Sequence, residues 1–138
     1  MDFSGSTNGQ GILVTGTDSA GAVVLDEHVL YKTPTWDAEG HAITDDNGDV
    51  ILTDIDIGES VRYTIRAANT NDADVLLTIE FGGSAPNNLI TKTLAANSGI
   101  EMVFSGDSLK IPCTVKAFAS VTNKVNIYGS AEKIYLNS

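Results

Sequence analysis

Apolar and polar residues alternate with a period of two along much of this chain, and no stretch carries the 3.6-residue stripe of an amphipathic helix. In "SVRYTIRAAN", Val61, Tyr63, Ile65 and Ala67 share one face, with Arg62, Thr64 and Arg66 on the other. In "DVLLTIEFGG", Val75, Leu77, Ile79 and Phe81 align. In "SLKIPCTVKAFAS", Leu109, Ile111, Cys113, Val115 and Ala117 alternate with Lys110, Pro112, Thr114 and Lys116. Pro112 has no amide to donate, which predicts an edge or a bulge there. Shorter strands fit "GILVT", "GAVVLDEHVLYK", "VILTDIDI", "NLITKTL", "GIEMVF", "KVNIYG" and "EKIYL". Turn residues cluster between them, in "NTNDAD", "GGSAPNN", "AANSG", "SGDS" and "SVTNK". Eight to ten strands in one domain predict an all-β fold, a single antiparallel β-sandwich or barrel of jelly-roll-like kind. Its expected core holds Val61, Tyr63, Ile65, Val75, Leu77, Ile79, Phe81, Val115, Val125 and Ile127. "LKIPC" and "KVNIYG" are the expected edges.

Two segments break the alternation. "MDFSGSTNGQG" reads as a flexible arm over residues 1–10, ahead of a sandwich domain over residues 11–138. "KTPTWDAEGHAITDDNGDV" is polar and reads as a projecting hairpin that points into solvent, because its acids have only Lys32 nearby. Asn47-Gly48 suits a type I′ turn between "HAIT" and "VILT". Trp36, in the same segment, is either a contact anchor or a plug for one end of the sandwich. No internal repeat is legible.

Composition narrows the function classes. At 138 residues with 42% hydrophobic and 19% charged, the chain can bury one real core. No run approaches the roughly 18 apolar residues that span a bilayer, and the first residues lack the basic and apolar regions of a signal peptide. The chain is therefore expected to be made in the cytoplasm and used without secretion. The net charge of −10 is uneven: residues 1–60 hold twelve Asp or Glu against one Lys, residues 61–138 six against seven Lys or Arg. So acidic a chain lacks the basic footprint that nucleic acid or an anionic membrane requires, and neither is an expected partner. The near-neutral part is the one expected to lie against another protein.

The sequence points to no catalytic residue, cofactor site or metal site. "DDNGD" begins like a calcium loop, but counting from Asp45 the sixth residue is Val50 and the twelfth Asp56, where Gly and Glu are needed. His28 and His41 are thirteen residues apart with no cysteine pair. Cys113 sits among apolar alternates and reads as a small buried hydrophobe rather than a reactive thiol. "FGGSAPNN" has no Lys and no following helix, so it is a turn and not a phosphate loop.

Three runs carry a resemblance. "ADVLLTIEFGG", "LAANSGIEMVFSG" and "TVKAFASVTNKVNIYG" resemble small virion proteins of tailed bacteriophages, over roughly residues 59–130. The acidic segment from Lys32 to Asp54 departs from that pattern. The resemblance implies a small, all-β, non-enzymatic protein: a capsid decoration or cement protein on the outer surface of a phage head. It would bind the major capsid protein or another shell protein, and would act as a homo-oligomer, a trimer. The small Ala117, Ala119 and Val121 are then expected to allow close packing against a neighbouring sheet. The expected partner surface joins Phe3 of the arm to Arg62, Arg66, Lys116, Ala117, Phe118 and Lys124 of the near-neutral part, with Trp36 as a further anchor. The competing classes are a head–tail connector, neck or tail protein of the virion, a carbohydrate-binding β-sandwich module, and a small hydrolase with paired carboxylates. Scattered aromatics at 7% count against the sugar binder.

Overall fold

The structure, a computed structural model, describes residues 1–6 and 10–135. Ten strands make up most of it: β1 (Ile12–Leu13), β2 (Val23–His28), β3 (Tyr31–Pro34), β4 (Leu52–Ile55), β5 (Glu59–Asn69), β6 (Val75–Phe81), β7 (Leu89–Leu94), β8 (Glu101–Lys110), β9 (Cys113–Ala119) and β10 (Val125–Tyr135). Eight of them form two four-stranded antiparallel sheets, ordered β1-β10-β5-β8 and β2-β9-β6-β7. The pairs β1/β10, β2/β9, β5/β8 and β6/β7 nest as in one long hairpin rolled up on itself, which is the strand order of a jelly roll. The fold is therefore an all-β sandwich, and among the described residues its two sheets are not hydrogen-bonded into a closed barrel. Among the described residues no helix is long and apolar enough to cross a membrane.

Alternation explains how the sheets face each other. β5 and β9 bury every second residue, so Val61, Tyr63, Ile65 and Ala67 meet Val115, Ala117 and Ala119 across the sandwich. Nine of the ten expected core residues are buried, and Phe81 packs against them half-buried. Rings continue the packing in a chain: Phe3 lies 6.1 Å from Tyr63, Tyr63 lies 5.6 Å from Phe81 and Phe81 lies 4.9 Å from Phe104.

Several segments fold otherwise than the alternation predicts. "KVNIYG" is no edge: β10 runs on through Gly129 to Tyr135 and lies between β1 and β5. "SGDS" is no turn but part of β8, an edge strand whose pairing with β5 shifts register twice. "SLKIPCTVKAFAS" is two strands, because the chain leaves one sheet at Lys110 and enters the other at Cys113. Residues 1–6 are not a free arm. Phe3 is 3% exposed, the Ser4 amide donates to Asp26 Oδ1 at 2.7 Å and the Gly5 amide donates to the Leu25 carbonyl at 2.9 Å. Met1 and Ala131 exchange two 2.9 Å bonds. The remainder of the expected arm includes residues 7–9, which lie outside the described residues.

Candidate functional site

β3 and β4 lie outside both sheets. They pair Tyr31 with Ile55 through Pro34 with Leu52, and form the stem of an arm inserted between β2 and β5. Lys32 bonds Asp54 across the stem, and the Thr35 and Thr53 hydroxyls bond each other. Beyond the stem three backbone hydrogen bonds close a triangle. The Ile43 amide donates to the Thr35 carbonyl at 2.8 Å, Ile51 to Ile43 at 2.9 Å and Thr35 to Ile51 at 2.8 Å. Three two-stranded ribbons meet at this triangle: the stem and two short hairpins.

The two hairpins are copies of one another. In "DAEGH", Asp37 Oδ1 accepts the amides of Glu39 and His41 at 2.9 and 2.8 Å, while the Gly40 amide donates to the Asp37 carbonyl. In "DDNGD", Asp45 Oδ1 accepts those of Asn47 and Asp49 at 2.9 and 3.0 Å, while the Gly48 amide donates to the Asp45 carbonyl. Gly40 and Gly48 both stand at φ 83°, the left-handed region that an L side chain avoids. Asn47 is not at positive φ, so the turn is not type I′. It is a three-residue loop ending in a left-handed glycine. The sequence thus does contain a repeat, of eight residues, in which Asp37 and Gly40 recur as Asp45 and Gly48. Asp45 is explained as the acceptor that caps this turn. Gly48→Ala is expected to weaken the hairpin by about 1–2 kcal/mol. Amide exchange at Asp45 and Asp49 should then quicken roughly five- to thirtyfold, with the melting temperature of the sandwich unchanged. A protected Asp49 amide in that variant would show that the glycine is not required.

This arm concentrates the exposed apolar surface. Nine of the sixteen exposed large hydrophobic residues among those described fall between Val29 and Ile57. By register, Trp36, Val50 and Leu52 lie on one side of the arm, and Ile43, Ile51 and Ile55 on the other. Trp36 is 56% exposed and bridges Ala42 within the arm, so it does not plug the sandwich. The base is braced. Lys133 Nζ donates to the Tyr31 hydroxyl at 3.1 Å, sits 5.2 Å from its ring centre and lies 3.9 Å from Glu59. Lys110 pairs with Asp56 at 2.9 Å and, with the Gly58 amide, holds that carboxyl below its ordinary value.

The other expected contact residues do not form one surface. Arg62 and Arg66 are exposed on the outer face of the first sheet. Lys116 and Phe118 are half-buried on the outer face of the second. Lys124 stands in the β9–β10 turn. Phe3 and Ala117 are core residues and are unavailable to a partner: Phe3 packs on Tyr63, and Ala117 faces inward together with its cross-strand partner Ile79.

The sandwich carries two polar clusters, one on its surface and one inside. A cleft of about 300 Å³ opens on the outer face of the second sheet, where Glu27 and Glu80 flank β9 with Thr114 and Lys116 between them. Ser19 donates to Glu80 at 2.7 Å and Thr114 to Glu27 at 3.2 Å. Inside the sandwich, buried Asp26 accepts from the Tyr63 hydroxyl and contacts His28 Nε2, both at 2.8 Å. The Tyr63 hydroxyl also lies 3.6 Å from Cys113 Sγ. Burial raises Tyr63 well above its ordinary value and also raises Cys113, which keeps the phenol and the thiol protonated. This cluster ties β2, β5, β9 and the N-terminal residues together. Comparison with protein-family models, with curated proteins and with solved structures finds no match to this chain.

Proposed function

We propose that this chain is a non-enzymatic structural protein of a tailed-phage virion, seated as a homotrimer on the outer surface of the head, where it decorates and stabilises the shell of major capsid protein. The observation that carries the reading is the arm. A hydrogen-bonded three-ribbon element that exposes Trp36, Ile43, Val50, Ile51 and Leu52 is built for contact with another protein, since exposed apolar patches of this kind mark interaction sites. The three runs within residues 59–130 supply the class of assembly. Jelly rolls serve capsid, lectin and cupin domains alike, so the strand order by itself favours none of these. The contact element in this reading is the arm and not residues 1–6, which are docked on the sandwich.

Cryo-electron microscopy of the source particle tests the proposal. The expected result is density for the sandwich outside the shell, at positions of local or strict three-fold symmetry. Density confined to the neck or tail would make the chain a connector or tail component. Its absence from the particle would end the virion reading.

A further inference from the structure

The arm and one face of the sandwich are complementary in charge and in apolar character, yet they belong to different parts of the fold. Residues 31–58 hold seven carboxylates and Lys32. Asp54 and Asp56 are matched by Lys32 and Lys110. Glu39, Asp45, Asp46 and Asp49, all on the two distal hairpins, have no cation within ion-pair distance among the described residues, and Asp37 has only His41, at 3.7 Å. On the outer face of the first sheet Arg62 and Arg66 are exposed, and neither forms an ion pair among the described residues. Register sets Arg66 between Tyr128 on β10 and the exposed Met102 on β8. The face thus offers two cations about 13 Å apart along β5: Arg66 has apolar side chains beside it, and Arg62 has Glu132 of β10 as its cross-strand neighbour, without an ion pair between them.

We propose that this face receives the arm of a second copy of the chain: the acidic hairpins meet Arg62 and Arg66, and Trp36 packs against Met102 and Tyr128. Donor and acceptor patches differ, so the contact is head to tail and three copies close a ring. The inference rests on the homotrimer in the reading above and not on the shell. Burying both patches together removes apolar surface from water, and the two guanidinium groups offer partners to two of the hairpin carboxylates while the remaining acids stay in solvent.

Sedimentation velocity on the full chain, up to its highest soluble concentration, tests this. The wild type is expected to form trimers that weaken as salt screens the ionic contacts. Leu52→Asp on the arm, and Arg62→Glu with Arg66→Glu on the face, should each weaken association at least tenfold with an unchanged melting temperature. Trp36→Ala serves as a milder arm variant if Leu52→Asp perturbs the fold. The decisive step mixes an arm variant, whose face is intact, with the face variant, whose arm is intact. One-to-one complexes that grow no further are expected. A wild type that stays monomeric, variants that remain trimeric, or a mixture that forms no complex would each overturn the proposal. Particle binding is scored separately: trimers that ignore the shell would refute the virion reading alone, and monomers that bind it would refute only the ring.

Discussion

Replacing Tyr63 by alanine is expected to lower the unfolding free energy by about 3–5 kcal/mol. Tyr63 is fully buried, with Phe3 and Phe81 packed on its ring, so truncation opens a cavity at the centre of the aromatic chain. It also takes one donor from buried Asp26, leaving His28 and the Ser4 amide. Tyr63→Phe separates the two effects: the ring stays and only the hydroxyl is lost, at about 1–3 kcal/mol. Denaturant unfolding measures both. An alanine variant within about 1 kcal/mol of wild type would place the core elsewhere. The same residue sets a pH limit. A phenol whose folded value is raised keeps its proton in the folded state while the unfolded chain gives it up. Its contribution is therefore complete below the ordinary value of 10.0 and is lost as pH rises beyond it. Cys113 behaves likewise from its ordinary 9.0 upward. Stability should hold to about pH 9 and fall steadily above it, less steeply in Tyr63→Phe.

The residues that alternation identified are those for which one face of a strand is buried and the other solvated, as in β5 and β9. The pattern fails where that contrast fails. β8 is an edge strand with four consecutive exposed residues, Ser105–Ser108, so its polar middle imitates a turn. β4 is exposed throughout, and its apolar Leu52 and Ile55 look the same in sequence as those of a core strand. The projecting segment was legible as a projection, and its acids were legible as exposed. Its architecture was not, because the triangle joining Thr35, Ile43 and Ile51 depends on closure across sixteen residues. The local trace it left is the recurrence of Asp and Gly at an eight-residue spacing, a signal short enough to pass for ordinary turn composition. The apolar character of the arm is masked in the same way, because Val50, Ile51, Leu52 and Ile55 are interspersed with carboxylates.

The N-terminal residues and the middle of β10 depart from their sequence pattern for one physical reason. Residues 1–10 read as a loose arm because Phe3 stands alone among Ser, Gly and Asn. β10 read as two strands because Gly129 interrupts it. In the fold these residues meet: a Cβ at Gly129 would lie 2.7 Å from the Phe3 ring and 2.1 Å from the Thr64 carbonyl oxygen. The glycine is therefore not a strand terminator but the hollow in β10 that admits the phenylalanine. From there the ring reaches Tyr63, and the backbone on either side is pinned to Ala131, Asp26 and Leu25. Phe3→Ala is accordingly expected to cost about 3–5 kcal/mol, comparable to a substitution at the centre of a strand. Phe3→Leu should recover part of that, because it refills some of the hollow. A free arm would make both substitutions neutral. Chemical denaturation of the two variants beside wild type decides between these pictures, and equal midpoints would show that the N-terminal residues contribute nothing to the core.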